Sequence, residues 1–210
     1  MMQVEAVIFD HDGTLVDSET ITLDLLATMA IEAGADIDPE NVGRFVGADI
    51  RLVLAEIERS RGSRLPIDFL DQFRSRQEQA IRDHLTEIDG ATDLLTAIDL
   101  PMAVASNAPV VKLELCLGVT GLDRFFQPQH LVSAYDVGAW KPDPAVFIEA
   151  ARILGHAPQN CAVVEDSEPG VIGAVAAGMQ VFALESSGSL PKLRGVTAVS
   201  SLHELHDFLT

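Results

Sequence analysis

The chain alternates short apolar runs with amphipathic stretches, except in one block near its N-terminus. Residues 4–9 are apolar at every position but Glu5, which is typical of a central parallel strand buried on both faces. Further apolar runs predict five more strands. They lie at residues 102–105, 130–133, 161–164, 181–184 and 197–199, separated by helices that begin near Gly90, Pro109, Pro144 and Pro169. Alternating strands and helices predict an α/β fold, with a parallel sheet covered by helices on both faces.

Residues 17–85 carry helical patterns only. The first predicted helix is capped at Asp17 or Ser18 and ends at Gly34, a short one begins at Asp38, and two longer ones follow. Because this block falls between the first two predicted strands, we interpret it as a helical bundle inserted into the sheet domain. The expected division is residues 1–16 with 86–210 for the sheet domain and residues 17–85 for the bundle.

The charge of the chain limits the possible partners. Its 210 residues are 48% hydrophobic, enough for a substantial core, and carry a formal net charge of -18. Nucleic acids and anionic membranes are bound mainly through Lys and Arg, so neither is an expected partner. Glu5 and Asp10 interrupt any signal-peptide pattern, and a cytoplasmic location is therefore expected. The oligomeric expectation is a monomer or a weak homo-oligomer.

Two aspartates end the first predicted strand. The sequence there is FDHDGT, with Asp10 and Asp12 on either side of His11. Residues two apart in an extended chain point to the same side, so the two carboxylates converge while His11 points away. Ligands of open parallel sheets bind beyond the carboxyl ends of the strands, which favours a catalytic site here. The alternative is an ordinary turn, since Asp and Gly are common turn residues.

Three more polar clusters follow predicted strands. Ser106 and Asn107 precede a helix start, where backbone N–H groups bind anions, although Ser-Asn-x-Pro is also an ordinary N-cap. Lys141 lies in the stiff loop WKPDP and could balance phosphate charge. Glu165 and Asp166 could provide oxygen ligands for a hard divalent cation, with helix capping as the alternative for Asp166.

Together these clusters resemble a known family. DHDGT, the Ser-Asn of ASNAP, the Lys of KPDP and the Glu-Asp of VVEDS are similar to the four ordered motifs of the haloacid dehalogenase-like hydrolase superfamily. With GTLVDSE and EDSEPGV, the chain resembles the subgroup of β-phosphoglucomutases and small sugar-phosphate phosphatases. The resemblance spans the chain and implies a Rossmann-like core with an inserted helical cap.

The resemblance also implies a mechanism. Asp10 would attack phosphorus and form an aspartyl-phosphate, and Asp12 would protonate the leaving oxygen and later activate water. Mg²⁺ would be bound by the Asp10 carboxylate, the Asp12 backbone carbonyl and Asp166, with Glu165 a ligand directly or through water. The phosphoryl oxygens would be held by Ser106, Asn107 and Lys141. Thr14 would support the first loop, while His11 would pack or form a hydrogen bond.

Several departures separate the chain from other members of the superfamily. Phosphonoacetaldehyde hydrolases need a cap lysine and lack the second aspartate, whereas this chain has Asp12 and no lysine in its helical block. Haloacid dehalogenases lack both the second aspartate and the metal. Mutases usually carry a His where this chain has Thr22, and a cap Arg where it has Ile50. These differences favour net hydrolysis of a small, sugar-like phosphomonoester, with a hexose-phosphate mutase as the alternative.

Substrate specificity is assigned to the cap. Glu19 and Asp49 could accept hydrogen bonds from sugar hydroxyls, and Arg44 or Arg51 could bind a second anionic group. Each of them could instead be a solvated helix residue. A different class of function, a phospho-acceptor or binding protein without turnover, is disfavoured because receiver domains carry their phosphorylated Asp on a later strand and have no helical insertion of this size.

Overall fold

The computed structural model describes residues 4–35, 50–184 and 190–209. These residues fall into two compact units. The first takes in the described residues of Met1–Val16 and Thr86–Thr210, and the second those of Asp17–Leu85. No helix within the described ranges is long and apolar enough to cross a membrane.

The first unit is built on a six-stranded parallel sheet. Its strands are β1 (Ala6–Phe9), β2 (Met102–Ser106), β3 (Leu131–Ser133), β4 (Cys161–Glu165), β5 (Gln180–Leu184) and β6 (Val196–Val199). Their order across the sheet is β3-β2-β1-β4-β5-β6, and all neighbours are parallel. This is the Rossmann order, in which the chain winds outward from β1 in both directions. The predicted fold class is confirmed.

Helices cover both faces of the sheet. They are α4 (Ala91–Ala97), α5 (Val110–Thr120), α6 (Ala134–Val137), α7 (Ala145–Leu154), α8 (Glu168–Ala176) and α9 (Leu202–Leu209). Ile8 and Val163 form one buried cluster with residues of α7 and α8. Val7 and Phe9 are also fully buried, as are leucines of α4, α5 and α9. Alternate residues of a strand point to opposite faces of the sheet. Val7, Phe9 and these leucines therefore form the core on the face opposite α7 and α8.

Local sequence signals explain most helix boundaries in this unit. Pro109 and Pro144 are the N-cap residues of α5 and α7, and Gly121 and Gly155 end them in the left-handed conformation. The patterns did not predict α6 or α9. They are only four and eight residues long. A helical hydrophobic pattern that covers so few turns cannot be distinguished from the pattern of a loop.

The second unit is a helical bundle inserted between β1 and β2. Its helices are α1 (Ser18–Glu32), α2 (Ile50–Arg61) and α3 (Phe69–His84). Leu26, Met29, Ile57 and Phe73 belong to its core. The helix predicted from Asp38 lies outside the described residues.

Both cysteines are buried in the sheet unit, which leads to a prediction about their reactivity. Burial raises the pKa of the Cys116 thiol to about 12 and that of Cys161 to about 11. Because the thiolate is the reactive form, we expect neither to react with an aromatic disulfide reagent at pH 8 within minutes. Both should react at once in denaturing urea. Rapid reaction of one equivalent in the native protein would contradict the buried placement.

Candidate active site

The candidate site lies beyond the carboxyl ends of β1, β2 and β4. Because β1 pairs with both β2 and β4, the loops that follow these three strands lie side by side at the point where the winding of the sheet reverses. Asp10 directly follows β1 and continues the sheet pairing, since its N–H donates to the Val164 carbonyl at 2.9 Å. The topology therefore brings three of the four predicted clusters to one crevice.

The loop after β1 turns sharply at Gly13. This residue has a φ of 83°, and a Cβ placed on it would lie 2.0 Å from Asp166 Oδ2. Glycine is therefore required both for the backbone conformation and for the close approach of the Asp166 carboxylate. Next to it, the buried Thr14 donates from Oγ1 to Asp166 Oδ1 at 3.2 Å. The DGT sequence thus positions the loop after β1 against Asp166.

Lys141 is the central cation of the site. Its ammonium donates to Asp10 Oδ1 and, at 2.6 Å, to Glu165 Oε1. It is only 7% exposed, and its Nζ lies 4.9 Å from the centre of the Phe147 ring, within range of a cation–π contact. The nitrogen is therefore held from three sides, against the carboxylate predicted to be the nucleophile.

The Ser106-Asn107 cluster and the loop that carries Lys141 are joined by a hydrogen bond. The Asn107 side-chain oxygen accepts from the Lys141 backbone N–H at 2.9 Å, and Ser106 Oγ accepts from the Ala108 N–H at 3.0 Å. Ser133, which the sequence patterns missed, donates from its buried hydroxyl to the Ala108 carbonyl at 2.7 Å. A serine at the end of β3 was a visible signal, because β2 and β4 also end in polar residues, Ser106 and Glu165.

Glu165 has a different environment from the one expected of a metal ligand. One of its oxygens accepts from Lys141, and the other accepts from the Ser167 N–H at 2.7 Å and the Ser167 hydroxyl at 2.9 Å. Both oxygens are thus bound to protein donors, and the residue is fully buried. In this geometry Glu165 is a partner that fixes Lys141; its contact with a metal, directly or through water, stays a prediction.

The two N-terminal aspartates have opposite electrostatic environments. Burial raises the pKa of Asp10 well above its usual range, with Glu165 and Asp166 adding to the increase and Lys141 opposing it. Burial also acts to raise the pKa of Asp12, but the Lys112 ammonium and His11 outweigh it, so the pKa of Asp12 is well below its usual range.

Lys112 and His11 both contact the Asp12 carboxylate. Lys112 Nζ donates to Asp12 Oδ1 at 2.7 Å, and His11 Nδ1 lies 3.2 Å from the same oxygen. The His11 contact lacks hydrogen-bond geometry, and Nε2 of this fully buried ring has no hydrogen-bond partner among the described residues. The sequence patterns gave Lys112 no role, because it lies outside the four motifs.

The donors around Asp10 fit a divalent cation. Asp10 is surrounded by Glu165 and Asp166, with Lys141 the cation that opposes their charge. This excess of carboxylates fits a hard cation with oxygen ligands. Across the described ranges, no three His, Cys, Asp or Glu side chains form a group that could hold a metal. The predicted set uses the Asp10 and Asp166 carboxylates and the Asp12 backbone carbonyl, with Glu165 a ligand directly or through water, and it stays a prediction.

Of the four predicted specificity residues, the structure describes the side chain of Glu19 alone. Glu19 lies in the first turn of α1, in the helical unit. Arg44 and Asp49 lie outside the described residues, as does the side chain of Arg51.

Gly170 leads to a prediction about the support of Glu165. A Cβ on Gly170 would lie 1.8 Å from Glu165 Oε1. We therefore expect Gly170→Ala to displace the carboxylate and to lower the free energy of unfolding by about 1–3 kcal/mol, measured by urea denaturation. The control is Gly118→Ala in α5, where a Cβ meets nothing within 4 Å, so the change should stabilise the protein by roughly 0.5–1 kcal/mol. Equal effects of the two substitutions would contradict the assignment.

Comparison with known proteins gives the family. Residues 4–178 match the family model of haloacid dehalogenase-like hydrolases. The 6-phosphogluconate phosphatase of Escherichia coli is 38% identical over 87% of this chain and 83% of its own length. A haloacid dehalogenase-like protein of unknown function from Agrobacterium tumefaciens is 31% identical, with a TM-score of 0.81 over 98% of this chain and 97% of that one.

A second solved structure has ligands of its own. It is a HAD family hydrolase from Deinococcus radiodurans with bound phosphate and sodium, 31% identical to this chain. Its TM-score is 0.78 over 100% of this chain and 99% of that one. The predicted resemblance is confirmed, and the protein belongs to the haloacid dehalogenase-like hydrolase family.

Proposed function

We propose that the protein is a phosphatase that hydrolyses a small sugar-like phosphomonoester through an aspartyl-phosphate on Asp10. The observation that carries this proposal is the contact of the buried Lys141 ammonium with the Asp10 carboxylate at the switch point of the sheet. Phosphoryl transfer requires mainly positioning and charge neutralisation, and this pair provides both a nucleophile and a counter-charge for the transferred group.

The reaction has two steps with complementary proton transfers. In the first, an Asp10 oxygen forms a bond to phosphorus, the ester P–O bond breaks, and Asp12 gives a proton to the leaving oxygen. In the second, water attacks phosphorus, Asp12 takes its proton, and inorganic phosphate leaves Asp10 as a free carboxylate. The low pKa of Asp12 keeps its carboxylate ionised and therefore able to accept the proton of water in the second step. In the first step, the proton comes from the monoanion of the ester, whose second pKa is about 6; it passes to Asp12 and from Asp12 to the leaving oxygen. After the second step, Asp12 releases the proton it took from water to solvent.

The phosphoryl oxygens are assigned to groups beyond the strand ends. Ser106 is the last residue of β2, the Asn107 backbone N–H lies in the loop before α5, and Lys141 lies beside Asp10. The hydrogen bond from the Lys141 N–H to the Asn107 side chain supports this assignment, because it links the two loops. Three donors on two linked loops match the three equatorial oxygens of the phosphoryl group.

Mg²⁺ is the proposed cofactor. The Asp10 carboxylate, the Asp12 backbone carbonyl and Asp166 would hold it, and it would supply positive charge to the phosphoryl oxygens. The excess of carboxylates around Asp10 and the close approach of Asp166 to Gly13 support this set. Glu165 is assigned to Lys141 rather than to direct ligation of the metal.

The substrate is proposed to be a phosphorylated sugar or sugar acid. The first compound to test is 6-phosphogluconate, because the E. coli relative is named for its hydrolysis. Glu19, Arg44, Asp49 and Arg51 stay candidates for recognition of the rest of the substrate.

The mutase alternative is less well supported. Thr22 stands where mutases of the resembled subgroup usually carry a His. Its hydroxyl donates to the Ser18 carbonyl at 2.7 Å and accepts from Gln77 at 2.8 Å. The side chain therefore joins α1 to α3, and a hydroxyl in this role cannot replace an imidazole in proton transfer.

Phosphate release tests the proposed function. We expect selective, Mg²⁺-dependent release from a panel of hexose, pentose and sugar-acid phosphates. Asp10→Asn should reduce turnover by at least about 10³-fold, because the amide cannot attack phosphorus. Retained activity in this variant would exclude Asp10 as the nucleophile. Isomerised sugar phosphate without phosphate release would favour the mutase.

Thr14 tests the metal assignment. The Thr14→Val substitution keeps the shape of the side chain but removes the hydroxyl that donates to Asp166. Groups that orient metal ligands typically contribute about 10- to 100-fold to affinity or activity. We therefore expect Thr14→Val to raise the Mg²⁺ concentration for half-maximal activity about 10-fold, whereas Thr14→Ser should stay near wild type. An unchanged Mg²⁺ response in Thr14→Val would place the metal away from Asp166.

A further inference from the structure

Lys112 occupies an unusual place for a lysine. It is the third residue of α5, in the first turn, where the positive end of the helix dipole disfavours a cation. Its side chain is only 17% exposed, and its ammonium lies 2.7 Å from Asp12 Oδ1. The chain contains only three lysines. Two of them, Lys112 and Lys141, contact the two aspartates of the first motif.

We propose that Lys112 is a positioning residue that orients the Asp12 carboxylate for its two proton transfers. The proposal rests on the phosphatase function assigned to Asp10 and Asp12, and adds to it a residue outside the four motifs. Lys112 acts through Asp12. Its ammonium, carried by α5, fixes the side chain of Asp12, which is assigned as the general acid and base.

The contact geometry supports an orienting role. Lys112 Nζ and His11 Nδ1 both approach the same oxygen, Oδ1 of Asp12. Two nitrogen groups on one oxygen restrict rotation of the carboxylate about its Cβ–Cγ bond. His11 is fully buried and adjacent in sequence, so it offers a rigid surface on one side, while Lys112 reaches across from another element.

The position of Asp12 makes orientation important for rate. Its carboxylate must first reach the leaving oxygen and then a water molecule on the same line of attack. A misplacement of roughly 1 Å in such a group can cost about 100-fold in rate. A solvent-exposed ion pair would contribute little, but this pair is largely shielded, with Asp12 only 23% exposed.

Substitution of Lys112 tests the proposal. We expect Lys112→Met to lower kcat on the best sugar phosphate about 10- to 100-fold, part of the range for general acid–base catalysis, with KM changed less than about 3-fold. Lys112→Arg retains the charge and should recover most of the rate. The matched control is Lys192→Met, because Lys192 is exposed, and its kinetics should equal those of the wild type.

A double-mutant cycle shows whether Lys112 acts through Asp12. In an Asp12→Asn background, Lys112→Met should lower the residual rate by less than about 2-fold, because coupled residues are not additive. An equal loss in both backgrounds would overturn the proposal. A raised KM with unchanged kcat would overturn it too, and would make Lys112 a substrate-binding residue.

The leaving group provides a second kinetic readout. p-Nitrophenolate needs no proton when it leaves, so the burst of p-nitrophenolate that reports Asp10 phosphorylation should be nearly the same in wild type and Lys112→Met. A burst slowed as strongly as sugar-phosphate turnover would contradict action through proton transfer.

Crystal structures separate this proposal from the proposed function. If the wild-type protein releases phosphate from no compound, the phosphatase proposal fails, but the orientation of Asp12 can still be measured. We expect the Asp12 carboxylate to rotate or to occupy two conformers in Lys112→Met and to remain single in Lys192→Met. An unchanged Asp12 in Lys112→Met would overturn the positioning role whatever the activity.

Discussion

The arrangement of the site depends on the buried ammonium of Lys141. It is bound to Asp10 after β1 and to Glu165 at the end of β4, and its backbone N–H is bound to Asn107 after β2. A buried charge is tolerated only when it is paired, and loss of one partner is costly because the other charge remains. This single residue therefore links the chain after β1, the end of β4 and, through its backbone, the loop after β2, and the acidic groups around it cannot move independently.

The sheet topology explains why such distant residues meet. Lys141 and Asp10 are separated by 131 positions, and Thr14 and Asp166 by 152. β1 lies between β2 and β4, so every segment that leaves the carboxyl end of these strands enters the same crevice. The hydrophobic core fixes the strands, the strands fix where the loops begin, and the polar contacts then need to order only a few residues in each loop. The helical bundle can be inserted after β1 because the sheet pairing resumes at β2.

The sequence predicts this architecture well because the hydrophobic pattern determines the strands. Apolar runs marked all six strands within one or two residues, and polar residues directly after them marked the edge where the site lies. The hydrophobic pattern could not predict the contacts of Glu165, since a carboxylate at a strand end can bind either a metal or a buried lysine. Lys112 was missed because its partner is 100 positions away, and no local pattern encodes that contact.

The acidic character of the chain constrains how an anionic substrate can bind. The net charge of -18 repels phosphate at a distance, but screening limits that effect to about 8 Å at physiological ionic strength, so the nearby groups dominate. Around Asp10, carboxylates outnumber the lysine that opposes them, and a phosphate dianion would add further negative charge to a buried site. The phosphoryl group therefore needs an additional cation, and in the proposed mechanism this requirement couples its binding to that of Mg²⁺. Lys112 cannot fill that role while it is paired with Asp12, which is an argument for the proposed metal.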